Sequence, residues 1–157
     1  MPFFSVIIPV YNKEKTIDVC LKSIFTQNFP DNQYEVIVVD NNSTDNSIDI
    51  VRRYPNIKII KEKIQNAYVA RNTAALQAKG MFLVFADADI EAESNWLKNI
   101  YEVLLQNNLD ILIGWFKPSK SIKLIELHNQ SIINQIRLAI KHNIPQMLVS
   151  TTSNLIV

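Results

Sequence analysis

Glycine is nearly absent: Gly80 and Gly114 are the only two in 157 residues. Neither a Walker loop nor a GxGxxG dinucleotide fingerprint can be written with them, which removes P-loop NTPases and standard Rossmann dehydrogenases. Cysteine is as scarce. Cys20 stands alone, so a disulfide framework and a thiolate zinc site are excluded. The two histidines, His128 and His142, are too far apart in sequence for the paired ligands of a helical metal-protease motif. Excess charge of either sign is missing as well. Sixteen basic residues face 15 acidic ones, a net charge of +1, so no nucleic-acid surface is expected. Long apolar runs are also lacking. Phe3 to Val10 is interrupted by Pro9, has no basic flank, and falls well short of the roughly 18 residues of a membrane span. The expectation is a cytoplasmic protein, soluble or peripheral at the inner face of a membrane.

What is present is an alternating pattern. Hydrophobic residues make up 48% of the chain, enough for one core, and no linker or repeat divides it. Phe4–Val10, Glu35–Asp40, Ile57–Ile60, Met81–Ala86 and Asp110–Phe116 read as strands, mostly continuous apolar runs of the kind buried on both faces. Between them lie helical patterns. Ile17, Cys20, Leu21, Ile24 and Phe25 share one helical face. Ser43 or Thr44 is positioned to cap a second helix through Ile48, Ile50 and Val51, with Asp45 in its first turn. Ala67–Lys79 forms an alanine-rich third helix closed by Gly80 at its C′ position, and Ser94 caps a fourth carrying Trp96, Leu97, Ile100, Val103 and Leu104. Strand and helix in alternation imply an α/β fold with a mainly parallel sheet covered by helices on both faces. After Pro118 the rhythm changes to one long amphipathic helix, Leu124–His142, and then an apolar segment after Pro145.

Ligands of open α/β sheets bind beyond the carboxyl ends of the strands. Polar residues crowd there. The first strand ends in Pro9-Val10-Tyr11-Asn12, the second in Asp40-Asn41-Asn42-Ser43 and the fourth in Asp87-Ala88-Asp89. Any one of these ends reads equally well as turns and caps; three together point to a site. Asp87 and Asp89, two apart at the end of an extended strand, project to one side. They are either a solvated turn or a seat for a hard cation with phosphate oxygens. Arg71 lies in an otherwise small and apolar stretch, where it either pairs with Glu62 or Asp40 or meets a base carbonyl or phosphate. Trp96, Trp115 and the tyrosines read as packing, Cys20 as a small core residue, and the histidines as solvent-facing.

In this order, VIIPVYN, VVDNNSTDNS, NAYVARN and FADADI followed by WL resemble the family 2 glycosyltransferases, inverting enzymes of the Rossmann-like GT-A fold. The likeness runs from Phe4 to about Leu97, with residues 118–157 as the start of an acceptor-side region. Thr152–Val157 is similar to the strand that follows it in the family. The resemblance implies transfer of a sugar from a nucleotide-diphosphate donor, a UDP-sugar, to a glycan or lipid-linked acceptor in cell-envelope polysaccharide biosynthesis. It implies that Pro9, Val10, Tyr11 and Asn12 line the nucleoside pocket, with Asn42 and Asn66 beside them. Asp40 would accept from the base imide, and Arg71 would hold base or phosphates. Asp87 would address ribose or metal, and Asp89 would be the principal ligand of Mn²⁺ or Mg²⁺.

Two departures from the family pattern stand out. Asp40-Asn41-Asn42-Ser43 replaces the commoner Asp-Asp-Gly-Ser, with Asn42 able to take the left-handed turn position and Asn41 removing a negative charge near the nucleotide. The family's acidic acceptor-side motif has no match either. Glu126 is the one acidic residue after Asp110, so the expectation is a fold incomplete at its C-terminus. A nucleotide-sugar-binding module without turnover is the alternative, and self-association through the apolar C-terminal region is expected.

Overall fold

The structure, a computed structural model, describes residues 1–107, 112–113 and 149–150. The expected helix Leu124–His142, Glu126, both histidines, Trp115, Gly114 and Thr152–Val157 lie outside those residues. Six parallel strands form one sheet: β1 Phe4–Val10, β2 Tyr34–Asp40, β3 Ile57–Lys61, β4 Phe82–Phe85, β5 Leu112–Ile113 and β6 Val149–Ser150. Their spatial order is β3-β2-β1-β4-β6-β5. The chain moves outward from β1 through β2 to β3, then returns to place β4 on the other side of β1. That reversal makes the β1/β4 boundary a topological switch point.

Among the described residues, four α-helices cover the sheet: α1 Ile17–Phe25, α2 Ser47–Val51, α3 Ala67–Ala75 and α4 Trp96–Asn107. Strand alternation divides the core in two. Val6, Ile8 and Val10 of β1, Val36 and Val38 of β2 and Val84 of β4 face α1, α2 and α4, against Ile17, Leu21, Ile24, Val51, Leu97 and Leu104. The intervening Ile7, Ile37, Val39, Leu83 and Phe85 face α3. Ala70 and Ala74 are fully buried there, and their small side chains let the α3 backbone lie close on the sheet. Each buried Val, Leu, Ile or Phe contributes about 1.5–3 kcal/mol, so the two layers hold the strand ends in fixed relation.

Three local expectations are corrected. α2 begins at Ser47 rather than after Ser43 or Thr44. Those two residues bond instead to the β1 loop, while Asp45 Oδ1 accepts from the Ser47 backbone N–H at 3.0 Å. Helix α3 ends at Ala75, short of Lys79, and Gly80 has no positive φ. Gly80 is needed for close approach: a Cβ there would sit 2.5 Å from the Phe4 carbonyl carbon and against Ser5 N. Ser94 does not cap α4 with its side chain; its carbonyl accepts from Asn28 N at 2.7 Å, and the helix starts at Trp96.

Candidate donor site at the strand ends

Val10 and Asp40 are register partners at the ends of β1 and β2. Ala86, just past β4, donates its N–H to Ile7 O at 3.0 Å. The polar segments after these three strands therefore open on one edge of the sheet, as the sequence implies. They differ in what each side chain does there.

The β1 and β2 loops are bolted together. Asn12 adopts φ 50° and Asn42 φ 71°, both in the left-handed region that asparagine tolerates. Asn12 Oδ1 accepts from Thr44 N at 2.8 Å and from Thr44 Oγ1 at 3.3 Å. Lys13 N donates to Ser47 Oγ at 2.7 Å and Glu14 N to Asp45 Oδ2 at 3.0 Å. Glu14 Oε2 accepts from Asn46 N and Nδ2 at 3.2 and 3.1 Å. Asp45 is held below the usual carboxylate range: desolvation, the largest single influence, pushes it up, and hydrogen bonds from Ser47 and the Glu14 backbone together outweigh it. Val10 is fully buried and presents only its carbonyl, to Asn41 N at 2.8 Å. Pro9 is half-buried beside it, and Tyr11 is exposed on the rim.

Asp40 is 8% exposed. Its Oδ1 accepts from Ser43 N, three residues on, at 2.8 Å and closes the turn after β2. Oδ2 has no partner among the described residues and remains an acceptor held in place. Asn41, 4% exposed, turns away from the edge and donates through Nδ2 to Glu62 O at 3.2 Å and Ile64 O at 2.5 Å. Its amide therefore fastens the loop between β3 and α3 rather than thinning charge at the edge.

That loop leads into α3. Asn66 caps the helix, its Oδ1 accepting from Tyr68 N at 2.8 Å and Val69 N at 3.4 Å. Arg71, five residues on, pairs with neither Glu62 nor Asp40. Its Nη2 meets Asp87 Oδ1 at 2.7 Å, with the side chains 15% and 25% exposed, and its enclosed Nε has no partner among the described residues. Glu62 is engaged by Thr73 Oγ1 at 2.7 Å.

Asp87 and Asp89 lie past the end of β4, not within an extended strand. Ile90 N donates to Asp87 O at 3.3 Å to close a turn, and Ala88 between them is buried in the core. Burial pushes the Asp87 carboxyl up, Arg71 pulls it down, and the Asp89 charge pushes it up again; the net direction is up. Asp89 is half-exposed and its Oδ2 meets Lys13 Nζ at 2.5 Å. Behind the turn, Cys20 Sγ donates to Asp87 O at 3.5 Å. Burial, with Asp89 and Asp87 adding to it, pushes that thiol up to about 12.

The donor set suits a hard divalent ion that keeps few protein ligands. Asp89 presents carboxylate oxygen at the surface with Asp87 close by, and no third acid, histidine or cysteine joins them among the described residues. Mg²⁺ and Mn²⁺ take one or two carboxylates and complete their shells with phosphate and water.

The sequence reading gave Lys13 and Glu14 no role and placed Asp45 only in the first turn of a helix. All three belong to the polar runs at the strand ends, but their partners lie about 30 or more residues away in sequence, a pairing that no local pattern displays.

Comparison with known proteins bears on the family and the fold. The family model described as glycosyl transferase family 2 matches residues 5–152. Glycosyltransferase AglE of Haloferax volcanii is 39% identical over 119 residues, 73% of this chain and 39% of that protein. A poly(ribitol-phosphate) beta-glucosyltransferase of Bacillus spizizenii is 37% identical over 72% of this chain and 19% of its own length. The chain thus spans well under half the length of these relatives. Among solved structures, S. aureus TarS in complex with UDP-GlcNAc superposes with a TM-score of 0.71 at 31% identity, covering 87% of this chain and 43% of that one. A mannosyltransferase of Pyrobaculum calidifontis in complex with GDP-Man and Mn²⁺ gives 0.62 at 33% identity, covering 66% and 32%.

Proposed function

This chain belongs to glycosyl transferase family 2, and we propose that it binds a UDP-sugar at the carboxyl edge of β1, β2 and β4 and transfers the sugar, with inversion, to a hydroxyl of a cell-envelope glycan or lipid-linked acceptor. The observation that carries this reading is Asp40: a buried carboxylate with one oxygen fixed in a turn and the other without a partner among the described residues. Such an oxygen suits the imide N–H of uracil, a donor that cytosine lacks. TarS, bound to UDP-GlcNAc, shares this fold and supports the choice of nucleotide.

The remaining residues divide the work. Tyr11, exposed beside Asp40 on the rim, offers a ring face to the base. The bonds that Thr44 donates to Asn12 and Asn46 donates to Glu14 keep the base-reading loops from drifting apart. Arg71 holds Asp87 in place from α3, and Asp87 with Asp89 would hold Mn²⁺ or Mg²⁺ against the diphosphate. Such an ion supplies Lewis-acid neutralisation of the leaving diphosphate. In the transfer itself, the acceptor oxygen bonds to the anomeric carbon as the bond to the diphosphate breaks. The acceptor proton leaves to a base that none of the residues named above supplies.

Thermal unfolding tests the reading. A ligand that binds only the folded state stabilises it by about 2.7 kcal/mol at a hundredfold excess over Kd. UDP with Mn²⁺ is expected to raise Tm more than either alone, and Asp89→Ala to lose that synergy. An Asp89→Ala response equal to the parent's contradicts the metal assignment; no response of the parent to UDP contradicts the donor site.

A further inference from the structure

Lys13 follows the left-handed Asn12 at the mouth of the site, and its backbone N–H is pinned to Ser47 Oγ at 2.7 Å. The next N–H, of Glu14, is pinned to Asp45. The root of the lysine is therefore fixed, while its side chain is 39% exposed. Its ammonium meets Asp89 Oδ2 at 2.5 Å, and Arg71 meets Asp87 at 2.7 Å. Each carboxylate of the pair already has its own cation.

We infer that Lys13 is a built-in counter-ion for Asp89 that makes divalent-cation binding depend on the nucleotide's diphosphate. The inference rests on the donor-site reading and deepens it. With two carboxylates matched by two side-chain cations, the turn has no uncompensated charge to draw a free dication. To reach Asp89 Oδ2 such an ion must displace the ammonium and then sit beside it, and like charges at that separation repel. A diphosphate changes the balance. Its oxygens add ligands for the ion and give the displaced Lys13 a new anionic partner across the same opening. Metal and nucleotide then each raise the other's affinity, as linkage requires. The ion pair is half-exposed and so a weak lock, with an effect of about two- to fivefold in affinity.

Mn²⁺ titration followed by the electron paramagnetic resonance of the free ion tests this without turnover. In the absence of UDP, Lys13→Met is expected to bind Mn²⁺ about two- to fivefold more tightly than the parent, with Lys13→Arg as weak as the parent. UDP is expected to tighten Mn²⁺ binding more in the parent than in Lys13→Met. Should Lys13→Met prove insoluble, Lys13→Gln removes the same charge. If parent and Lys13→Met bind Mn²⁺ equally without UDP while UDP still tightens the parent, the counter-ion role is refuted and the donor site stands. If UDP leaves the parent's Mn²⁺ affinity unchanged, the donor-site reading falls and the inference with it.

Discussion

Asp40 and Asn41 are adjacent, both buried and opposite in use. One presents an oxygen to the opening; the other gives its amide hydrogens to two carbonyls of the β3–α3 loop. Asp40→Ala is expected to weaken UDP binding and flatten preference among nucleotides while Mn²⁺ still binds. Unchanged selectivity in a nucleotide competition assay would refute the base-reading role. Asn41→Asp, which restores the family's commoner residue, puts a carboxylate against the Glu62 and Ile64 carbonyls. Lost donors and unpaired acceptors cost about 1–3 kcal/mol, and repulsion adds to it, so in urea unfolding Asn41→Asp is expected to be less stable than Asn41→Ala. Cys20 gives a pH prediction at the same scale. The folded chain keeps the thiol neutral up to about 12, whereas the unfolded thiol ionises near 9.0. Its contribution to stability is therefore full below 9 and lost as pH rises toward 12. Thiol reagents at pH 8 are expected to leave native Cys20 unmodified and to react on unfolding.

Among the elements, α3 carries most of the difference between sequence and structure. The pattern of small residues placed the helix and its start, because alanine favours helix and Asn66 caps it. Its end was misplaced by four residues, because Gly80 answers to a contact with the β1 backbone that helical spacing does not encode. Gly80→Ala forces a Cβ onto backbone atoms that cannot rotate aside, at a cost of about 1–3 kcal/mol. A lower Tm with unaltered UDP affinity is expected, since Gly80 lies at the opposite end of the sheet from the site. The partner of Arg71 was hidden for a related reason. The sequence left Glu62, Asp40, base and phosphate open, and the choice of Asp87 is made by the packing of α3 on β4, across the switch point.

At the scale of the whole molecule, the parallel arrangement of β1, β2 and β4 was readable because their apolar runs are mostly buried on both faces, whereas β3 is a half-exposed edge strand. Their order fixes which loops meet, and the family match over residues 5–152 agrees with it. Side-chain duties at that edge were less readable. Several of the polar residues there brace one loop against another, and only packing shows which do. No helix among the described residues is long and apolar enough to cross a membrane. The central claim is that a UDP-sugar is bound at this one edge, and amide chemical shifts of the ¹⁵N-labelled chain on addition of UDP with Mg²⁺ test it most directly. The account predicts perturbation concentrated at Tyr11–Lys13, Asp40–Thr44, Asn66–Arg71 and Asp87–Asp89. Shifts centred instead on Ser5, Glu35, Lys79 and Gly80, at the other end of the strands, or no shifts at all, would contradict it.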